Sequence, residues 1–306
     1  MKLVFSPTLL LKALFVSQFL VSALHAVTFE PSFDEAEWQA DGSVFECKLS
    51  HDIPYYGAAV FYRQAGEMQE FYLDSATSRM KTGKASLVAK APDWKLGHKS
   101  KNLGLVPVTQ GRKPINLGRK MSERMLSELF QGYSLVMTRQ PWYGAEQSIQ
   151  VAMTPIQFRA AYGDYLDCLS TLLPVNFEQI SRTPIYFPSG SEELHAREMR
   201  KLDNVVIYVK ADPSVEAFYI DGHTDSKGAR TENLELSKMR AEMVAQYLIS
   251  NGVDASKITS RWHGERYPVE SNRSRSGRSQ NRRVTIRLDR VPAPEDTPSP
   301  EVAQKN

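Results

Sequence analysis

The strongest constraint in this chain is a junction between a strand and a helix. An apolar run, Val215-Glu-Ala-Phe-Tyr-Ile220, reads as a strand. A loop with glycines at 222 and 228 follows, then a helix from about Glu232 to Ser250 that stops at Asn251-Gly252. The flanking segments keep the alternation. Thr183 to Phe187 reads as a strand, and Ser191 as the opening of a helix that runs toward Lys210, with Glu192 and Glu193 in its first turn. Ile258 to His263 and Arg282 to Leu288 read as further strands. The order β-α-β-α-β-β predicts an α/β sandwich with helices on one face of a mixed sheet.

Helix phasing sharpens the junction. At about 100° per residue, Leu236, Met243, Val244, Tyr247 and Leu248 form one buried stripe. Asn233, Ser237 and Arg240 fall on that same stripe. Polar groups that point inward need partners. Asp225 is the nearest acid that a tight loop brings close, so an Asp225–Arg240 ion pair pinning the loop is one reading. A metal held by His223 and Asp225 is a weaker one, because no third His or Cys has a suitable spacing.

The first half has a different texture. Gly57 to Arg63 and Met68 to Leu73 are short aromatic and β-branched runs with Gly66 between them, a hairpin pattern. Ala85 to Ala89 and Ser148 to Met153 read as strands too. Helices are expected over Lys120–Phe130 and from Ala160 to Leu173. The fold class is therefore α+β, with a mainly β N-terminal domain ahead of the α/β sandwich.

Four segments follow: 1–26, 27–174, 175–290 and 291–306. The first reads as a secretory signal, with Lys2 ahead of a mostly apolar run and Ala26 at the cleavage point; an uncleaved anchor helix is the alternative, disfavoured by the short run and by Lys12 within it. No cysteine follows that point closely enough for a lipid anchor. The last segment carries four prolines between Val291 and Pro300 and reads as a disordered tail. Cys47 and Cys168 are the chain's two cysteines, and an even count in an exported protein suggests one disulfide. Two buried thiols are the alternative. A bridge there closes a loop of about 120 residues and contributes roughly 5 kcal/mol at most.

Charge excludes little and points little. The net charge of +3 is too small to argue for nucleic acid. Five arginines and no acid lie between Ser271 and Arg283, of which 273, 275 and 278 read as a solvated loop. The N-terminal domain offers His51 and His98 as its only histidines, with no Gly-x-Ser-x-Gly and no His-Glu-x-x-His. No enzyme activity and no cofactor are expected.

Residues 185–284 resemble the OmpA-like peptidoglycan-binding family. The matching elements are Ile185-Tyr-Phe-Pro-Ser-Gly-Ser191, Leu194, Leu202, Gly222-His-Thr-Asp225, Gly228, Asn233, Leu236-Ser237, Arg240-Ala241 and Asn281-Arg-Arg-Val284. The resemblance implies that Asp225 and Arg240 grip diaminopimelate of the wall peptide, with Asn233, Thr224, Ser237 and Arg283 around them and Arg282 helping to shape the pocket. A carboxylate suits the ligand's ammonium and a forked guanidinium its carboxylate.

The first domain resembles the N-terminal domain of the MotY family of the sodium-driven polar flagellar motor. Cys47-Lys-Leu-Ser-His-Asp-Ile-Pro-Tyr-Tyr-Gly-Ala-Ala-Val-Phe61 and Tyr165 to Leu173, followed by Phe177-Glu178, carry that likeness. It implies a disulfide between the two cysteines. It also implies a periplasmic place at the flagellar basal body near the outer membrane, a MotX-like partner, and an indirect role in holding the stator complex. A general envelope anchor serving another complex is the alternative.

Overall fold

Alternating burial builds the first domain. In the strand Glu46–Ile53 the side chains of Cys47, Leu49, His51 and Ile53 face inward and those between them face out or sit at the surface. The computed structural model describes residues 26–92 and 97–291. The expected signal before Ala26 and the expected tail after Val291 lie outside the described residues.

One five-stranded sheet runs β1 (Val27–Phe29), β10 (Ile149–Met153), β9 (Ser134–Arg139), β6 (Gly83–Lys90), β7 (Lys101–Val108). The other runs β2 (Trp38–Gly42), β3 (Glu46–Ile53), β4 (Gly57–Gln64), β5 (Glu70–Ser75), β8 (Ile115–Leu117). Only the short β1–β10 pairing is parallel among the described strands of this domain. The two inner faces share one core, with Leu49, Phe61, Phe71, Leu87, Leu135 and Met137 at its centre. Helix α1 (Arg119–Phe130) adds Met125, Leu126 and Leu129 to it, and α2 (Phe158–Thr171) adds Phe158 and Tyr165. The hairpin about Gly66 and both helices lie where the sequence puts them. Cys47 and Cys168 are joined in a disulfide that ties β3 to α2, with their Cα atoms 6.0 Å apart.

The second domain is a four-stranded mixed sheet in the order β11 (Arg182–Tyr186), β14 (Arg283–Arg290), β12 (Val215–Gly222), β13 (Ile258–Trp262). β12 and β13 are parallel, and β14 is antiparallel to both of its neighbours. Helices α4 (Ala196–Ala211) and α5 (Arg230–Ser250) cover one face and bury Leu202, Val205, Val244 and Leu248 against Ile185, Phe218, Ile220, Val284 and Ile286. A short α3 (Phe177–Ile180) leads into the sheet. Among the described residues no helix is long and apolar enough to cross a membrane.

Two expectations need correction. The helix expected from Ser191 begins at Ala196, with His195 at its N-cap position. Ser191 instead closes a local turn, its hydroxyl accepting from the Glu193 N–H at 3.0 Å, because its carbonyl is engaged elsewhere. The basic stretch expected as a loop contains α6 (Arg275–Asn281). Ser274 caps it by accepting from the Gly277 N–H at 2.9 Å, and Arg278 donates to the carbonyls of Asn272 and Arg273.

The two domains meet at a seam. The turn between β2 and β3 presents Phe45, whose ring lies 5.5 Å from Tyr208 of α4. Phe177 approaches the same tyrosine at 6.1 Å, and the Arg290 guanidinium sits 3.7 Å above the Phe177 ring. Glu67 accepts from the side chains of Asn176 and Gln179 across the seam.

Candidate functional site

The site forms where β12 runs into α5. Gly222 lets the strand lie against the helix, because a Cβ there would stand 2.1 Å from the Ser237 carbonyl oxygen. The Thr224 N–H then donates to the Gly264 carbonyl at 2.8 Å. Asp225 turns inward and is 4% exposed. One of its oxygens accepts from the Lys227 N–H at 3.0 Å, and the other from Arg282 at 2.9 Å. The inward stripe of α5 holds Asn233, Ser237 and Arg240, all buried, as the phasing predicts. Ala241, Val244, Ala245 and Leu248 continue it.

Arg240 is fully buried, yet its partners differ from the expected ones. The Asp225–Arg240 ion pair is not made; Arg282 takes that place. Arg240 donates through Nε and Nη2 to the Ser191 carbonyl at 2.9 and 2.6 Å, and through Nη2 to Pro188 at 3.0 Å. Its guanidinium lies 4.8 Å over the Phe187 ring. Burial, with the nearby charge of Arg282, pulls its pKa down to about 10, and Asp225 opposes that shift. The irregular segment 187–195 is thus folded over Arg240, which is why the helix starts late.

The neighbours complete a polar pocket wall. Asn233 donates to Glu265 at 3.0 Å. Ser237 donates to Leu234 O at 2.7 Å and accepts from the Gly264 N–H at 3.0 Å. The Thr224 hydroxyl and Arg240 Nη1 are buried without a hydrogen-bond partner. A buried donor left unpaired is costly, so this wall favours a ligand that brings acceptors.

Arg283 is not brought to this wall. The strand alternation sends its side chain to the helix-free face of the sheet, where Nη2 donates to the Tyr267 carbonyl at 3.3 Å. Glu265 and the carbonyls of Pro188 and Ser191 carry no sequence signal that marks them. His223, weighed as a metal ligand, faces the Arg266 carbonyl at 3.3 Å and stacks on His263 at 4.8 Å. Among the described residues no group of three or more His, Cys, Asp or Glu is placed to hold a metal ion. In the first domain His51 is a core residue stacked on Trp38 at 4.5 Å.

This fold and junction define a class. Residues 186–282 match the OmpA family, and the second domain is an OmpA-family domain. Residues 29–174 match the MotY N-terminal domain. The chain belongs with the proteins that join a MotY N-terminal domain to an OmpA-family domain. Along most of its length it is similar to the sodium-type flagellar protein MotY of Vibrio parahaemolyticus, 28% identical over 84% of this chain and 88% of that one. Its second domain is similar to the peptidoglycan-binding protein ArfA of Mycobacterium bovis, 36% identical over 34% of this chain and 31% of that one. It is also similar to a peptidoglycan-associated lipoprotein of Buchnera aphidicola, 32% identical over 33% of this chain and 58% of that one.

Proposed function

We propose that this protein is a non-catalytic periplasmic component of the flagellar motor whose second domain holds peptidoglycan. The observation that carries the reading is the buried wall of Asp225, Thr224 and Arg240 at the start of α5, with two donors unpaired, in a chain similar to MotY along most of its length. Diaminopimelate carries an ammonium and a carboxylate on one carbon. Asp225 receives the first, and the free Arg240 Nη1 and the Thr224 hydroxyl the second, with Asn233 and Ser237 fixing the wall. Access to Arg240 requires the 188–191 carbonyls to move aside.

The first domain docks on the basal body with a MotX-like partner, and the assembly steadies the stator units. Stator torque needs a fixed reference, and a domain clamped to the wall supplies one.

Wall binding is tested by sedimenting the full chain from residue 27 with purified sacculi. Asp225→Ala and Arg240→Ala are both expected to stay in the supernatant, with circular dichroism confirming their fold. Folded variants that still pellet refute the site assignment. The motor role is tested by deleting the gene. Normal filaments on cells that cannot swim support it, and normal swimming counts against it in favour of a general envelope anchor.

A further inference from the structure

The helix-free face of the second sheet is a surface of its own. Strand register sets Arg182, Arg287 and Tyr219 in one row across it, and Pro184, Thr285, Asp221 and Arg261 in the next. The third row is Tyr186 and Arg283. Four arginines thus share the face with the acids Asp221 and Asp289. Arg261 and Arg287 lie over the two sides of Tyr219, at 5.3 and 4.3 Å from its centroid. At the Arg283 end the loop that carries Tyr267 and Val269 rises beside the sheet and encloses a cleft of about 600 Å³.

Arg283 is the reason to treat this cleft as a site. It is 8% exposed and lines the cleft. Nη2 reaches the Tyr267 carbonyl, while Nη1 is buried without a partner. The acid in the wall, Asp221, is already engaged by His263 Nε2 at 2.8 Å. Arg182 adds a second cation at the rim. An unpaired, mostly buried guanidinium N–H calls for an anionic acceptor. Asp221 in the same wall disfavours a dianion, and the faces of Tyr186, Tyr267 and Val269 offer contact to an organic body rather than to a bare ion.

We propose that this cleft binds a monocarboxylate, the carboxylate taken by Arg283 and its carbon body by Tyr186 and Tyr267. The site lies on the opposite sheet face from Arg240 and does not rest on the wall-binding reading. The two histidines report on it. His223 is held neutral, its pKa pulled to about 4 by burial and then by Arg283. An anion at Arg283 offsets that second cause and raises it.

The test is an imidazole ¹H–¹⁵N titration of the full chain from residue 27. The probes are N-acetylglycine for a peptide end, glucuronate for a sugar acid, N-acetylglycine methyl ester as the uncharged control, and inorganic phosphate. Saturable shifts of His223 and His263 are expected with one or both carboxylates and none with the ester, and the tighter acid names the source. Arg283→Gln should weaken the titration about tenfold or more, the loss of one charge-assisted hydrogen bond. Arg182→Gln, at the rim and without risk to the core, should weaken it by a smaller factor. The proposal is overturned if the ester binds as well as the acid. It is equally overturned if phosphate binds tighter than either carboxylate, if no probe saturates, or if a folded Arg283→Gln protein titrates like the parent. Should Arg283→Gln fail to fold, an unchanged titration in Arg182→Gln overturns it.

Discussion

Arg240 shows how a buried cation can be charged yet lack an ion pair. Its charge is dispersed over two backbone carbonyls and an aromatic face. That geometry belongs to a planar fork and not to an ammonium. Arg240→Lys keeps the charge, but a compact ammonium lacks the planar fork that bonds the Ser191 carbonyl through two nitrogens while its face lies over Phe187. The variant should lose about 3 kcal/mol in urea unfolding and release sacculi as Arg240→Ala does. A stability within 1 kcal/mol of the parent would count against this account. The inward phase of Arg240 was legible because helical period alone decides it. Its acceptors were not, since every residue has a carbonyl and only the fold selects Pro188 and Ser191. For the same reason Asp225 found Arg282, 57 positions away, rather than Arg240.

The buried histidines set a pH dependence. His51 Nδ1–H donates to the Glu37 carbonyl at 2.7 Å, and Nε2 accepts from the Thr154 N–H at 3.4 Å, so a second ring proton has no acceptor. Burial lowers its pKa, and burial with the charge of Arg283 lowers that of His223 to about 4. A base whose pKa is depressed in the folded state binds its proton more readily when unfolded. Its stabilisation is therefore present above about pH 6.5 and lost as pH falls toward the folded value. For His223 the full loss is about 3 kcal/mol at pH 4. Urea midpoints should fall between pH 6.5 and 4, and His223→Gln should flatten that fall. Equal slopes in parent and variant would remove His223 as a source.

Among the elements, the junction of β12 and α5 depends on one missing side chain. The Cβ of Gly222→Ala would stand 2.1 Å from the Ser237 carbonyl, and both atoms belong to backbone regions that cannot rotate away. Strand and helix must then separate, which exposes the polar wall and loosens the packing of Ala241. The cost should be about 3 kcal/mol or more in thermal unfolding followed by circular dichroism, with sacculus binding lost in the same variant. A stability near the parent's would mean the strand shifts freely. Strands and long helices were readable because their apolar periods are strong. The misread elements are the ones without such a period. Ser191 with two following acids looks like a helix cap, but the carbonyls of its segment are held by Arg240. Helix α6, built of Ser, Arg, Gly, Gln and Asn, buries only Gly277 and Asn281.

At the scale of the whole molecule, each domain has its own core, and the disulfide lies wholly within the first. The pairing of the cysteines followed from their number and the resemblance; the seam was invisible, because Phe45 reads as one more strand-flanking aromatic. In the structure it leaves its own domain and packs with the second core, touching Tyr208 beside Phe177. The adjacent backbone is fixed from both sides. Leu173 N–H donates to the Val44 carbonyl at 2.9 Å, and Ala65 N–H to the Phe45 carbonyl at 2.8 Å. The two domains are therefore joined by an aromatic contact as well as by the connecting chain. Phe45→Ala removes that contact and leaves both cores intact. It should cost about 2 kcal/mol, all of it in the coupling between domains. In calorimetry the parent should unfold with its two domains coupled, and the variant should show the second domain melting earlier and separately. Sacculus binding should survive, because the Asp225 wall is remote from the seam. Identical coupled thermograms for parent and variant would mean that Phe45 carries none of the coupling and that the Glu67 hydrogen bonds across the seam suffice.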